Sequence, residues 1–109
     1  MNKKIRITIG LSDSQGEVNP EIVTQADLLE KEISKIAGGC TSIPATGYYT
    51  NERGITFKES SRIIEVVLFS DSSINEYGIK RAVQAFLHNT NQECCMYEVI
   101  DNANIVFLS

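Results

Sequence analysis

The chain has 109 residues, of which 42% are hydrophobic, a size and composition typical of one domain around a single core. Its formal net charge is −4 and its ten Lys and Arg residues are scattered, whereas proteins that grip a nucleic-acid backbone carry a clustered basic stripe. No apolar run is long enough to span a membrane and the opening residues do not resemble a signal peptide. We therefore expect a cytoplasmic protein that binds neither nucleic acid nor membrane.

The first two elements are predicted to be a strand and a long helix. Apolar and polar side chains alternate over residues 4–11, as in a half-buried strand. Asn19 followed by Pro20 is typical of a helix start, since Asn caps free amides and proline lacks the N–H that would stay unpaired. Gly38-Gly39 predicts the end of the helix. The apolar stripe of this helix consists of Ile22, Ala26, Leu29, Ile33 and Ile36.

A hairpin is predicted next. Residues 40–50 are strand-like, but Pro44 removes a backbone donor and Gly47 removes a side chain, which favours an edge strand. The sequence Asn51-Glu52-Arg53-Gly54 is typical of a hairpin turn. Residues 55–69 are long for one strand of so small a domain. We therefore expect an arm over about residues 45–59 that reaches beyond the sheet, with a bulge or bend at Ser60-Ser61.

A second helix is predicted from Ser73, with Ile79, Val83 and Phe86 facing inward. Residues 94–100 and 105–108 are extended, and either they pair as a terminal hairpin or one is the fourth strand and the other an extra C-terminal strand. The order β-α-β-β-α-β indicates an α+β, ferredoxin-like fold, an antiparallel sheet with two helices on one face. One such domain is expected to occupy residues 1–109.

The sheet face without helices is predicted to be apolar along its central strand. On residues 63–69 this face carries Ile63, Glu65, Val67 and Phe69, whereas a solvated face is normally polar. We expect a second subunit to cover Ile63, Val67 and Phe69, by sheet packing or by exchange of the arm, and thus a homo-oligomer. The alternative is that the terminal strand or the arm of the same chain covers them.

The arm holds the best candidate for a ligand site. With the turn centred on Glu52-Arg53, Tyr48 would pair with Phe57 and Tyr49 with Thr56, and Gly47 would leave a shelf for a flat ligand. Basic side chains could meet a phosphate or carboxylate, and Glu59 could accept from a ribose or amide. The alternative is that these residues only form and solubilise the strands. The candidate ligand-binding residues are Tyr48, Tyr49, Arg53, Lys58, Glu59 and Arg62.

No catalytic motif is present, and one histidine with three cysteines does not form a zinc pattern, so we expect no metal and no cofactor. His88 lies a few residues from Cys94 and Cys95, and a reactive Cys–His pair would need a lowered thiol pKa. The cysteines are otherwise expected to be reduced and half-buried.

Three stretches of the sequence carry a family resemblance. The chain resembles a group of small uncharacterised bacterial and phage proteins with a ferredoxin-like fold, which implies that fold and a phage or mobile-element origin but no reaction. The matching residues are Ile9-Gly10-Leu11-Ser12 with Gly16-Glu17-Val18; Gly38-Gly39-Cys40-Thr41, Ala45-Thr46-Gly47-Tyr48, Gly54, Glu59 and Ile63-Ile64-Glu65-Val66; and Asn91-Gln92-Glu93 with Val106-Phe107.

These observations favour a non-enzymatic oligomeric protein that captures a small polar or nucleotide-like ligand, with a sequestration or counter-defence role if the phage resemblance holds. The first alternative is a protein-interaction module that inhibits a host protein through the arm or the bare sheet face. The second is a small cofactor-free dimeric enzyme, suggested only by analogy of fold.

Overall fold

The computed structural model describes residues 2–13, 16–69, 73–101, 104–106 and 108. The elements follow the predicted order. Their bounds are β1 (Lys3–Gly10), α1 (Pro20–Ala37), β2 (Thr41–Thr50), β3 (Thr56–Leu68), α2 (Ser73–Asn89) and β4 (Met96–Ile100). The strands form one antiparallel sheet in the order β2-β3-β1-β4. This arrangement confirms the predicted α+β, ferredoxin-like fold.

The core lies between the helices and one face of the sheet. Successive side chains on a strand point to opposite faces, so every second residue of β1 and β3 meets the helices. The buried strand residues are Ile5, Ile7, Ile9, Ile64, Val66 and Leu68. The buried helix residues are Ile22, Ala26, Leu29 and Ile33 of α1 with Ile79, Val83 and Phe86 of α2. Ile36, the last residue of the predicted α1 stripe, is half-buried against the same core.

Both ends of α1 are formed by the residues that predict them. The Oδ1 atom of Asn19 accepts hydrogen bonds from the backbone amides of Glu21 and Ile22, at 2.8 and 3.4 Å. At the other end Gly38 adopts a φ of 88°, and its amide donates to the Ser34 carbonyl at 2.8 Å. Only glycine takes this left-handed conformation at little cost, so the helix ends at Ala37.

The hairpin extends past the end of the sheet, as predicted. β3 pairs with β1 only over residues 61–68 but pairs with β2 over residues 56–65. Residues 46–60 therefore form a two-stranded arm with its turn, and "the arm" denotes these residues below. The radius of gyration is 15.0 Å, against about 13 Å for a compact chain of this length, because the arm lengthens the molecule to 46 Å.

The predicted register of the arm is wrong by one residue. Tyr49 pairs with Phe57 and Tyr48 pairs with Lys58, whereas a turn centred on Glu52-Arg53 would pair Tyr48 with Phe57. The reason is Gly54, whose φ of 79° adds a left-handed residue to the turn. Its amide donates to the Asn51 carbonyl at 3.0 Å, and the Asn51 amide donates to the Ile55 carbonyl at 2.9 Å.

The two serines in the middle of β3 do not form a bulge. Thr41 pairs with Glu65 and Thr50 pairs with Thr56, and the register between β2 and β3 is constant from one pair to the other. Ser60 and Ser61 both lie within this continuous ladder. The prediction of a bulge is therefore wrong, and β3 is one strand of 13 residues.

β4 is the fourth strand, and it pairs with β1 at the edge of the sheet. The described part of the C-terminal segment, residues 104–106 and 108, forms no strand, so the alternative of an extra C-terminal strand is not realised there. Residues 102, 103, 107 and 109 of the predicted turn and terminal segment lie outside the described residues. Neither described helix combines the length and the apolar character that crossing a membrane requires.

Candidate functional site

The side of the sheet opposite the helices is called the open face below. The register and the alternation of side chains assign its members. They are Thr41, Ile43, Ala45, Gly47 and Tyr49 of β2; Phe57, Glu59, Ser61, Ile63, Glu65 and Val67 of β3; Lys4, Arg6, Thr8 and Gly10 of β1; and Met96, Glu98 and Ile100 of β4. None of these residues is buried, so the described part of the chain does not cover this face.

The centre of the open face carries a charged cluster. Arg6 donates from Nε and Nη2 to the Oε2 atom of Glu65 at 2.9 and 2.8 Å, and the Lys4 Nζ atom lies 3.3 Å from the same oxygen. The hydrogen bond from Arg6 holds the pKa of the Glu65 carboxyl below its ordinary value, and Lys4 adds to this effect. The only acidic residue of the predicted apolar strand is thus neutralised by its cross-strand neighbours.

An apolar stripe runs along β2 and β3 beside this cluster. Ile43 lies directly opposite Ile63, and Val67 continues the line toward Phe69, which is 48% exposed. At that end Val67 and Phe69 line a cleft of about 320 Å³ together with the Gly38-Gly39 segment. The charged cluster of the open face is therefore flanked by the apolar stripe on β2 and β3 and by the exposed Met96 and Ile100 of β4, and grouped apolar side chains of this kind are typical of a binding surface.

The arm presents a stacked aromatic pair at the other end of the stripe. The ring centroids of Tyr49 and Phe57 are 5.1 Å apart and their planes differ by 19°, a geometry within the range of favourable aromatic pairs. Both rings lie on the open face, next to the pair formed by Gly47 and Glu59. A Cβ atom at Gly47 would meet only the Ser61 Oγ atom, at 3.7 Å, so the surface beside Glu59 is open at this position.

The other predicted ligand-binding residues are not gathered at this place. Tyr48 and Lys58 pair with each other on the opposite side of the arm, and Arg53 is exposed at the turn. Arg62 points toward the helices, where its Nη1 atom lies 2.8 Å from Asp27 and 3.3 Å from Glu30. The structure therefore brings Tyr49 and Glu59 together and places the remaining four elsewhere.

The Cys–His hypothesis receives no support from the thiol environment. Burial raises the pKa of the Cys95 thiol, with a smaller contribution from Cys94, whereas a cysteine nucleophile needs a lowered pKa. Cys94 is exposed, and His88 is exposed in the last turn of α2. In the described part of the chain no three His, Cys, Asp or Glu side chains cluster as a metal site would require.

A polar cleft that the sequence patterns did not reveal lies where the β1–α1 loop meets the end of α2. It is an open cleft with a volume of about 650 Å³, lined by Ser12, Asp13, Asn19, Pro20, Glu21, Ile22, Thr24, Gln25, Asn89, Thr90, Asn91 and Gln92. Its two walls are more than sixty positions apart in sequence, so no local motif marks it. It lies at the end of the sheet from which the arm extends, because Leu11 donates to Ser60 at 3.0 Å.

The comparisons with known proteins concern the fold. The sequence matches no protein-family model and no curated protein. Among solved structures the chain is similar to a phage SAM lyase in complex with S-methyl-5′-thioadenosine, with a TM-score of 0.64 and 20% identity over 91% of this chain and 80% of that one. It is also similar to the divalent cation tolerance protein CutA1 of Thermus thermophilus, with a TM-score of 0.60 and 17% identity over 97% and 88% of the two chains.

A third similar structure shows that these resemblances concern the fold and not the function. The de novo designed protein Foldit4 has a TM-score of 0.60 and 10% identity to this chain, over 94% of this chain and all of that one. A lyase, a cation tolerance protein and a designed protein thus share one arrangement of helices and strands. At these identities the resemblance establishes the fold, and any function must be argued from the residues of the site.

Proposed function

We propose that this chain is a homo-oligomeric binding protein that captures a small, flat, polar ligand of the nucleoside class on the arm. The observation that carries the proposal is the stacked Tyr49–Phe57 pair, exposed on the open face beside Gly47 and Glu59. A base can stack on such a ring, and a contact of this kind contributes about 1–3 kcal/mol. The Glu59 carboxylate then accepts hydrogen bonds from ribose hydroxyls.

The oligomer follows from the apolar stripe of Ile43, Ile63, Val67 and Phe69. A small-molecule site normally encloses most of its ligand, but a ligand on the arm of one subunit would be open to solvent on one side. A second copy packed on the stripe covers this side, because the stripe and the aromatic pair lie on the same face. The open face therefore serves both for self-association and for ligand binding.

The similarity in fold to a phage SAM lyase bound to S-methyl-5′-thioadenosine supports a nucleoside as the class of ligand to be tried first. The proposed function is binding alone, since the sequence carries no catalytic motif and burial raises the pKa of the Cys95 thiol. Binding without turnover corresponds to sequestration, a role that agrees with the phage or mobile-element origin implied by the sequence resemblance.

The first experiment is native mass spectrometry of the gently purified protein, followed by titration calorimetry with S-methyl-5′-thioadenosine and with adenosine. We expect a discrete oligomer, and binding that Tyr49→Ala weakens at least tenfold. Tyr48→Ala is the matched control, because it removes the same side chain from the opposite side of the arm. Chromatography of the recovered ligand separates binding from turnover, since a binding protein returns the ligand unchanged.

The proposal fails if neither nucleoside binds and the purified protein carries no small molecule. It also fails if Tyr48→Ala and Tyr49→Ala weaken binding equally, since the site would then not lie on the open face. Conversion of the nucleoside would favour the enzyme alternative instead.

A second candidate is a protein-interaction module, and the edge strand β4 favours it. β4 lies at one edge of the sheet, and its side chains Met96 and Ile100 are exposed on the open face. An edge strand with apolar side chains is the surface to which a partner polypeptide adds a strand. A tagged chain that retains one host protein in equal amount, and loses it when Met96 is replaced by lysine, would support this candidate.

A further inference from the structure

We infer that the polar cleft between the β1–α1 loop and the end of α2 is a second binding site, for an uncharged, hydroxyl-rich small molecule such as a nucleoside or a sugar. This cleft is separate from the arm site. Its volume, about 650 Å³, is within the range of small-molecule sites.

The described residues of both walls of the cleft are tied to their neighbours by hydrogen bonds, which fix the shape of this part of the site. In the β1–α1 loop Asp13 and Glu17 are joined by an amide-to-carbonyl bond of 2.7 Å, and Asn19 donates to Leu11 at 3.1 Å. At the end of α2 the side chain of Gln92 donates to the Gly10 carbonyl at 3.1 Å and so ties this wall to β1. A preformed site loses less conformational freedom on binding.

The charges of the cleft exclude an anion. Its described lining residues include the carboxylates of Asp13 and Glu21 and no Lys, Arg or His. The start of α1 does not offer free amides to a phosphate either, because Asn19 already accepts from the first amides and Pro20 has none. The ligand is therefore neutral or cationic.

The side chains of the cleft suit a hydroxyl-rich ligand. Amide and hydroxyl groups both donate and accept hydrogen bonds, and five Asn or Gln and three Ser or Thr residues line this site. Pro20 and Ile22 add an apolar surface for the face of a ring. A sugar or nucleoside presents C–H groups and hydroxyl groups side by side. The few apolar contacts of this cleft fit the C–H groups, and its many side chains that both donate and accept hydrogen bonds fit the hydroxyls.

One feature of the lining points to a ligand independently of the charges. The Ser12 hydroxyl is buried and finds no hydrogen-bond partner among the described residues, and buried hydroxyls are normally paired. The φ of 54° at Asn91 has a different cause, because this residue lies in the turn that ends α2: its amide donates to the His88 carbonyl at 3.3 Å and the Gln92 amide donates to the Leu87 carbonyl at 2.9 Å.

The test is a titration of the ¹⁵N-labelled protein with adenosine, D-ribose and AMP, followed by amide chemical shifts. We expect adenosine to shift the amides around Ser12, Asn19 and Asn91, and AMP to bind at least tenfold more weakly because Asp13 and Glu21 repel its phosphate. Comparison of adenosine with D-ribose distinguishes a nucleoside site from a sugar site.

Two variants of lining residues test whether the binding takes place in the cleft. Ser12→Ala removes the unpaired hydroxyl, and Asn91→Gly removes the amide side chain while it keeps the left-handed backbone accessible. Each should weaken binding in the cleft by about threefold or more, and Glu52→Gln in the exposed turn of the arm should leave it unchanged. Shifts confined to the arm, equal affinity for AMP, or no shift with any of the three compounds at millimolar concentration would overturn this inference; the first of these would leave the arm proposal intact.

Discussion

Arg6 and Glu65 are joined across β1 and β3 by two hydrogen bonds of 2.9 and 2.8 Å, from Nε and Nη2 of the guanidinium to one carboxylate oxygen. The pair lies on the open face and is only partly exposed, since the Glu65 side chain retains 17% of its accessible surface. A charge at this position is compatible with an interface because it is already paired within its own subunit. The pair also makes the stability of the fold depend on pH in the acidic range.

Glu65→Gln is expected to lower stability at neutral pH and to make it less sensitive to acid. The hydrogen bond from Arg6 lowers the pKa of Glu65 in the folded protein. The stabilisation by this carboxylate is therefore complete above its unfolded pKa, about 4.5, and is lost as the pH falls through the lower folded value. Urea unfolding at pH 7, 5, 4 and 3 should show that the free energies of unfolding of the wild type and of Glu65→Gln converge as the pH falls.

Glu52→Gln, in the exposed turn, is the control, and its free energy of unfolding should equal that of the wild type at each pH. A difference that stays constant down to pH 3 would contradict the prediction.

Gly54→Ala is expected to destabilise the protein by about 1–2 kcal/mol, the cost of a left-handed conformation for a residue with a Cβ atom. Nothing lies within 4 Å of a Cβ placed there, so the effect comes from the φ of 79° and not from a clash. Gly39→Ala is the matched control, because its surroundings are equally open and no left-handed φ is required. We expect the control to stay within about 0.5 kcal/mol of the wild type in urea unfolding. Equal effects of the two substitutions would show that the turn does not require glycine.

The same glycine explains what could and could not be predicted from the sequence. Two patterns specify which faces are buried: the alternation of Ile5, Ile7 and Ile9, and the helical stripe from Ile22 to Ile33. Each pattern has the repeat of its own secondary structure, and the chain has a single core on which both apolar faces pack. The register of the arm depends on a single left-handed residue, and counting residues toward the centre of the turn does not detect it. This error exchanged Tyr48 and Tyr49 between the two sides of the arm.

The candidate sites were harder to predict than the fold for a related reason. Arg62 is a plausible anion ligand in sequence, but its partners Asp27 and Glu30 are more than thirty positions away, and only the packing of α1 on β3 brings them together. The polar cleft likewise joins Ser12 to Asn91, which are 79 positions apart. No single stretch of sequence contains both of its walls, so the cleft is visible only after the chain is folded.

Tyr97→Phe is expected to leave the protein as stable as the wild type or up to about 1 kcal/mol more stable at pH 8. The Tyr97 hydroxyl is buried and has no hydrogen-bond partner among the described residues. Burial, with the nearby Glu76, raises the pKa of Tyr97 to about 12. Since the unfolded tyrosine ionises near 10, the wild type should lose stability between pH 10 and pH 12, whereas this loss should be absent in the variant. Thermal unfolding at pH 8 and pH 11 measures both effects. A gap between the two proteins that is unchanged at pH 11 would show that the phenol ionises normally in the folded protein.

Val67→Glu is expected to dissociate the oligomer proposed here without unfolding its subunits. Val67 lies in the apolar stripe of the open face, directly opposite Lys4 of β1, and a carboxylate at this position would be desolvated if a second copy packed on it. Ile74→Glu is the matched control, because Ile74 is 84% exposed on α2, outside the open face. Sedimentation velocity over a hundredfold range of concentration should show a smaller species for Val67→Glu alone, and circular dichroism should show that both variants are folded. If the wild type sediments as a monomer over the whole range, the apolar stripe is not a self-association surface, and the strand edge of β4 becomes the better candidate for protein contact.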